Sequence, residues 1–241
     1  MTADRRPDAD GAGRSDGPPE DEQPPEFGLE RVVFFSDAVF AIAITLLVID
    51  LRPPEVIAGL TDDAYLRQLG ELGPKIFAYL LSFFVIGLYW LAHWRRFHYV
   101  VRADERLALL NLLLLGCVSF IPFPTALMGE QGDRAFVVVI YALTLSAAGV
   151  LGSLCWEYAA RTGATRPGLT PDFIRFGTLR GLSVPLVMLP SLVALPILGP
   201  QLVELSWVLI FVVQAVIVRR FRPPGAAIGS ARSTARPAGD G

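Results

Sequence analysis

An acidic side chain interrupts an otherwise apolar run near the start of the chain. The stretch Arg31-Val-Val-Phe-Phe35-Ser36-Asp37-Ala-Val-Phe-Ala-Ile42-Ala-Ile-Thr45-Leu46-Leu-Val-Ile49-Asp50 is apolar between its ends except at Ser36, Asp37 and Thr45. Asp37 lies six residues beyond Arg31, about 9 Å further along a helix axis. A lone carboxylate deep in a lipid-facing helix costs roughly 2.5–3.5 kcal/mol on insertion scales, so it turns toward protein or water. Two chemistries suit it there. One is a buried polar pair that locks helices together; the other is a role in transport, with a histidine as proton partner. His93, one of the two histidines, and Asn111 are the candidate partners. Each lies toward the same end of its apolar block as Asp37, and depth alone brings the three together.

The helical period divides this first run into faces. At 100° per residue, Arg31, Phe35, Ala38, Ile42, Leu46 and Ile49 share one stripe, while Asp37, Phe40, Ile44 and Val48 lie on another face. Ser36 is also off the Ile42 stripe. The polar pair therefore points into neighbouring helices and the aliphatic stripe points elsewhere, toward lipid or another helix. A second polar face follows from Tyr79, Ser82, Ile86, Trp90, His93 and Phe97, which recur at spacings of three and four.

Other chemistries are missing from the sequence. It has no G-x-x-x-x-G-K-[ST], no H-E-x-x-H, no G-x-S-x-G and no His/Cys/carboxylate cluster at metal-ligand spacing, so neither enzyme nor cofactor is expected. It also lacks a Thr-Val-Gly-Tyr-Gly filter and a run of arginines at every third residue. Cys117 and Cys155 fall inside apolar blocks and are expected to stay unbridged.

The elements that must position these residues are membrane helices. The 241 residues are 53% hydrophobic and only 18% charged, and nine of the 23 acids fall in the first 30 positions. Mean hydropathy is +0.49. That balance excludes a disulfide scaffold, a disordered protein and a nucleic-acid binder, and calls for an all-α integral membrane protein. Six blocks are long enough to span: 31–51, 74–97, 104–128, 133–158, 172–198 and 201–218. Thr61 caps a short amphipathic helix over 61–72, and Thr170-Pro171-Asp172 opens the fifth span. Pro122 and Pro124 should kink the third span, and Pro185, Pro190 and Pro196 the fifth. Ser146, Gly149 and Ser153, with Ala148 and Gly152, suit close packing of the fourth. Trp90, Trp94, Trp156 and Trp207 lie mostly toward block ends, as interfacial aromatics do.

Residues 1–30 and 219–241 read as disordered tails, acidic and basic respectively, around a domain at 31–218. Twelve Arg flank one set of span ends and four Lys or Arg the other. The excess of positive charge puts both termini in the cytoplasm of a multi-pass plasma-membrane protein.

Arg31-x-x-x-Phe35-Ser36-Asp37 opening a first membrane helix, followed by Ala-Val-Phe-Ala-Ile-Ala-Ile-Thr-Leu-Leu, resembles the transmembrane protein 175 family of potassium channels. Ala78-Tyr79-Leu-Leu-Ser82-Phe83, Tyr89-Trp90-x-x-His93, Asn111 and Pro122-Phe123-x-Thr125 continue the likeness through the third span. The resemblance implies six helices per subunit with the pore helix first, a homotetramer, and passive conduction of potassium ions, which are the only metal expected and bind only transiently. It implies a pore constriction at Ile42 with Leu46 and Ile49 as further layers, and Thr45 as a candidate for selectivity. Arg31, Phe35, Ser36, Asp37, His93 and Asn111 become a structural polar network holding the pore helix. The second reading is a proton-coupled secondary transporter using Asp37 and His93.

Overall fold

A computed structural model describes residues 28–54 and 61–221. All but three residues of each expected tail lie outside that range. Where the boundaries are visible, Leu29 and Glu30 already belong to the first helix and Arg219–Phe221 to the last.

Among the described residues the elements are helical: α1 (Leu29–Leu46) with a 3-10 turn at Leu47–Asp50, α2 (Asp62–Gly70), α3 (Gly73–Phe97), α4 (Glu105–Phe120), α5 (Pro122–Gln131), α6 (Ala135–Arg161), α7 (Pro171–Leu198), α8 (Pro200–Ser206) and α9 (Leu209–Phe221). Six helical stretches are long and apolar enough to cross a membrane: Leu29–Asp50, Gly73–Phe97, Glu105–Gln131, Ala135–Arg161, Pro171–Leu198 and Pro200–Phe221.

Local chemistry sets the boundaries. Thr61 Oγ1 accepts from the Ala64 amide at 3.4 Å to open α2, Asp104 Oδ1 from Leu107 at 2.8 Å to open α4, and Thr170 Oγ1 from Phe173 at 3.2 Å to open α7. The third span breaks at Ile121, immediately before Pro122, because proline cannot donate back to the preceding turn. The fifth behaves differently: α7 runs as one helix through Pro185, Pro190 and Pro196. The sixth span is interrupted by a turn at Trp207 and Val208.

Within the bundle, α6 packs along α7, α4 and α5, α3 lies against α5, and α1 rests on α4 and α3. Small residues set how close α6 and α7 come. A Cβ at Gly149 would lie 2.8 Å from the Gly181 carbonyl oxygen and 2.9 Å from Pro185 Cδ. Trp156 and Trp207 are core residues rather than interfacial ones. Trp207 stacks on Tyr141 at 5.2 Å, and both lie in the bundle interior because each indole finds a hydrogen-bond acceptor on α7: Trp156 at Ile174 O, 2.9 Å, and Trp207 at Ser191 Oγ, 2.8 Å. Trp90 and Trp94 are partly exposed. Cys117 and Cys155 are free thiols.

The loops at one end of the bundle are tied together. The Val101 amide donates to Ala164 O and the Arg166 amide to Tyr99 O, both at 2.8 Å, around a short antiparallel bridge between Val100 and Thr165. The loop after α3 and the loop after α6 therefore lie at the same end, as alternating spans require. At the opposite end, Lys75 pairs with Glu130 at 3.2 Å.

Candidate functional site

The two faces of α1 have opposite environments. Ser36, Phe40, Ala43 and Leu47, spaced by four, three and four, are buried on α3 and α4. The stripe about 130° around the helix is open: Ile42 is 58% exposed, Leu46 40% and Ile49 57%. Phe35, Arg31 and Ala38 continue it toward the helix start. Among the described residues no element covers this aliphatic row, a rarity for a continuous apolar strip unless lipid or another subunit meets it.

Thr45 lies on the open face between Ile42 and Leu46. Its hydroxyl donates to Ile42 O at 2.9 Å. The hydrogen is thus held by the helix and the oxygen lone pairs face outward, which suits a cation better than an anion.

Behind the buried face runs a directional chain of hydrogen bonds. His93 Nε2 donates to Asn111 Oδ1 at 2.9 Å, Asn111 Nδ2 donates to Ser36 Oγ at 2.9 Å, and the Ser36 hydroxyl donates to Val32 O at 2.7 Å. Three helices, α3, α4 and α1, are joined by it. All three side chains are buried, where such bonds are costly to break. The His93 ring is held further by stacking on Phe97 at 4.2 Å and by a tilted contact with Phe40 at 5.6 Å.

Asp37 is not part of that chain. Its Oδ1 accepts from Trp90 Nε1 at 2.9 Å, at the half-exposed margin between α1 and α3. Asp37 is 100° around α1 from Ser36, enough to put the two residues against different partners. The expectation that Asp37, His93 and Asn111 meet therefore divides: His93 and Asn111 bond each other, and Asp37 bonds Trp90. Arg31 and Phe35, also expected in the network, are not joined to it. Both lie on the open stripe, beside a groove that includes Glu105 and Leu112.

Several polar contacts escaped the sequence reading. The Ser82 hydroxyl bridges Thr125 Oγ1 at 2.7 Å and Tyr141 Oη at 2.8 Å, and the Thr125 hydroxyl donates to Ile121 O at 2.8 Å, beside the break between α4 and α5. Arg96, one of the twelve arginines that flank one set of span ends, is buried. Its Nη1 donates to Gly152 O at 2.6 Å and its Nη2 to Gly177 O at 2.7 Å. The small residues of α6 and α7 that read as close-packing sites also make room for this guanidinium. Glycines on two helices opposite one arginine are the signal that identifies such a pocket.

The family described as endosomal/lysosomal potassium channel TMEM175 matches residues 31–122. A potassium channel of Streptomyces collinus is 37% identical over 177 residues, covering 69% of this chain and 84% of the relative. A potassium channel of Chamaesiphon minutus is 36% identical over 146 residues, covering 58% of this chain and 70% of the relative. The human endosomal/lysosomal proton channel TMEM175 is 30% identical over 130 residues, or 54% of this chain, but the match spans only 25% of that longer protein. The crystal structure of a lysosomal potassium-selective channel TMEM175 homologue from Chamaesiphon minutus superposes with a TM-score of 0.65 at 30% identity, covering 81% of this chain and 98% of that one. With the Arg31-to-Asp37 motif on the first of six membrane helices, and a relative matched over most of its length, the chain belongs to the TMEM175 family.

Proposed function

We propose that this chain is the subunit of a potassium-preferring cation channel whose pore is lined by α1. The observation that carries the reading is the open aliphatic stripe of Ile42, Leu46 and Ile49, backed by a polar tie on the opposite side of the same helix. Four copies arranged around an axis would cover the stripe and bring four Ile42 side chains into a neck. A neck of that kind excludes water, and an ion cannot leave its hydration shell there. Opening then requires dilation or rotation of α1. Thr45, with its oxygen lone pairs outward, is the polar element beside the neck and the candidate for selectivity. The relatives named potassium channels support the ion. Arginine placement supports insertion in the plasma membrane with both termini in the cytoplasm.

The proton-coupled reading is weaker. Asp37 and His93 have separate partners, and the chain through His93 ends on the Val32 carbonyl, which cannot pass a proton on. The vertebrate relatives named proton channels make proton flux worth measuring alongside.

The test is potassium release from liposomes holding purified wild type or Ile42→Asn. Slow release from wild type and much faster release from the polar variant are expected. If neither conducts while both are folded and oligomeric, the pore assignment fails.

A further inference from the structure

The loops after α3 and α6, tied by the bridge between Val100 and Thr165, frame a groove of about 550 Å³ at the end of the bundle where α1 starts. Arg102 and Arg166 line it with Val101, Thr165, Leu169 and Ile174, and its lining holds no acidic residue. Both arginines are exposed, as is Val101. Arg102 Nη2 donates to Thr162 O at 3.2 Å, a bond that leaves its charge in place.

The carboxylates near this end are engaged elsewhere or stand apart. Asp104 accepts from Tyr158 Oη at 2.6 Å and from the Leu107 amide at 2.8 Å, and Arg106 attracts it. Glu157 pairs with Arg161 at 3.2 Å. Glu105 lines the separate groove that includes Arg31. Glu30 and Asp172 lie in the first turns of α1 and α7, outside the lining. The ion pairs among the described residues include neither Arg102 nor Arg166.

The chain's own path decides what reaches this groove first. Leu29, the first residue of α1, packs against the apolar cluster that contains Val100 and Ala164, the immediate neighbours of Val101 and Thr165 in the lining. The chain therefore enters α1 beside the groove. Just before that entry, Glu20-Asp21-Glu22-Gln-Pro24-Pro25-Glu26 puts four acids and no base into seven residues. Glu22 is six residues from Gly28, a reach of about 20 Å when extended. Carboxylates tethered so closely meet the two guanidinium groups at an effective concentration on the order of mM, and guanidinium–carboxylate bonds are among the stronger hydrogen bonds. The two prolines lose little freedom on docking, and Val101 and Leu169 give them an apolar seat.

We propose that residues 20–26 dock in this groove of their own subunit, with their carboxylates on Arg102 and Arg166. Docking ties the start of α1 to the loops after α3 and α6. It is defined by binding alone and is independent of the pore reading.

Lysine usage gives the test. Lys75 is the one lysine of the sequence and lies at the opposite end of the bundle on Glu130, so Arg166→Lys places a single lysine amine in the groove. Full-length protein in detergent is treated with a water-soluble carbodiimide, which joins an amine to a carboxylate in contact with it, and the tryptic peptides are read by mass spectrometry. Arg166→Lys should link to Glu20, Asp21, Glu22 or Glu26 at least about fivefold more than Arg175→Lys, whose exposed amine stands at the same end outside the lining. The linked product should run as a monomer in SDS. Adding Arg102→Gln should lower the yield severalfold, and so should about 1 M salt, where the Debye length is about 3 Å. Helical circular dichroism and gel-filtration elution verify that each variant is folded. Equal linkage by the two reporters overturns the proposal, as does a yield that neither salt nor Arg102→Gln lowers. So does linkage of the groove amine only to Asp104, Glu105, Asp172 or Asp240, or a product found only as a dimer, which would put the neighbouring copy's segment in the groove.

Discussion

Asn111 Nδ2 donates to Ser36 Oγ across 2.9 Å, and that bond joins α4 to α1 on the face turned away from Ile42. Asn111 is the central member of the tie, since its other amide atom accepts from His93. Asn111→Ala removes both bonds and leaves the His93 Nε2 hydrogen buried without an acceptor. A loss of about 1–3 kcal/mol is expected, seen as a lower thermal midpoint of the purified protein. An unchanged midpoint would mean that the tie contributes nothing to stability.

The two faces of α1 should respond to truncation in opposite ways. Phe40 is 1% exposed and packed against His93, so Phe40→Ala should cost about 3–5 kcal/mol. Ile42→Ala should change the stability of the isolated subunit by less than about 1 kcal/mol yet alter ion flux. Parallel measurement of detergent stability and liposome flux separates the two. Equal destabilisation by both changes would show that Ile42 is part of the subunit core.

Replacing Asp37 by Asn retains an oxygen that can accept from Trp90. The hydrogen bond survives without the charge, and the cost should be no more than about 1.5 kcal/mol. Potassium flux should persist, with no new dependence on pH. Abolished flux in a folded, assembled Asp37→Asn protein would favour the proton-coupled reading.

Gly149 and Gly87 offer a matched comparison. A Cβ at Gly149 meets backbone and ring atoms below 3.0 Å, so Gly149→Ala forces α6 and α7 apart, costing about 1–3 kcal/mol. A Cβ at Gly87 meets nothing within 4 Å, and Gly87→Ala should be neutral or stabilise α3 by up to about 1 kcal/mol. Thermal midpoints of the two variants should move in opposite directions or differ clearly; coincidence would contradict the close approach.

The spans were legible because length and hydropathy report membrane helices directly, and the break at Pro122 because its cause is local. The turn at Trp207 and Val208 was not legible, since neither residue breaks a helix by itself; it accompanies insertion of the Trp207 ring against Tyr141. The faces of α1 followed from a fixed angle per residue. The partner of Asp37 did not, because it depends on how α3 is registered against α1, which one helix cannot reveal. The burial of Arg96, in the last turn of its helix, was not legible for a related reason. An arginine near the end of a span reads as interfacial until the helices opposite it, with Gly152 and Gly177, are in place.

The polar tie grips α1 near one end only. Ser36 carries the directional bonds, whereas Phe40, Ala43 and Leu47 hold the rest by apolar contact, which has no preferred angle and permits small sliding. Mechanically, α1 is a lever with its pivot at Ser36. Ile49 stands thirteen residues further on, an arm of about 20 Å. Rocking the helix by about 5° moves Ile42 sideways by about 0.8 Å and Ile49 by about 1.7 Å. The layer farthest from the pivot travels farthest, so in the proposed pore one modest tilt would widen the Ile49 layer about twice as much as the Ile42 layer.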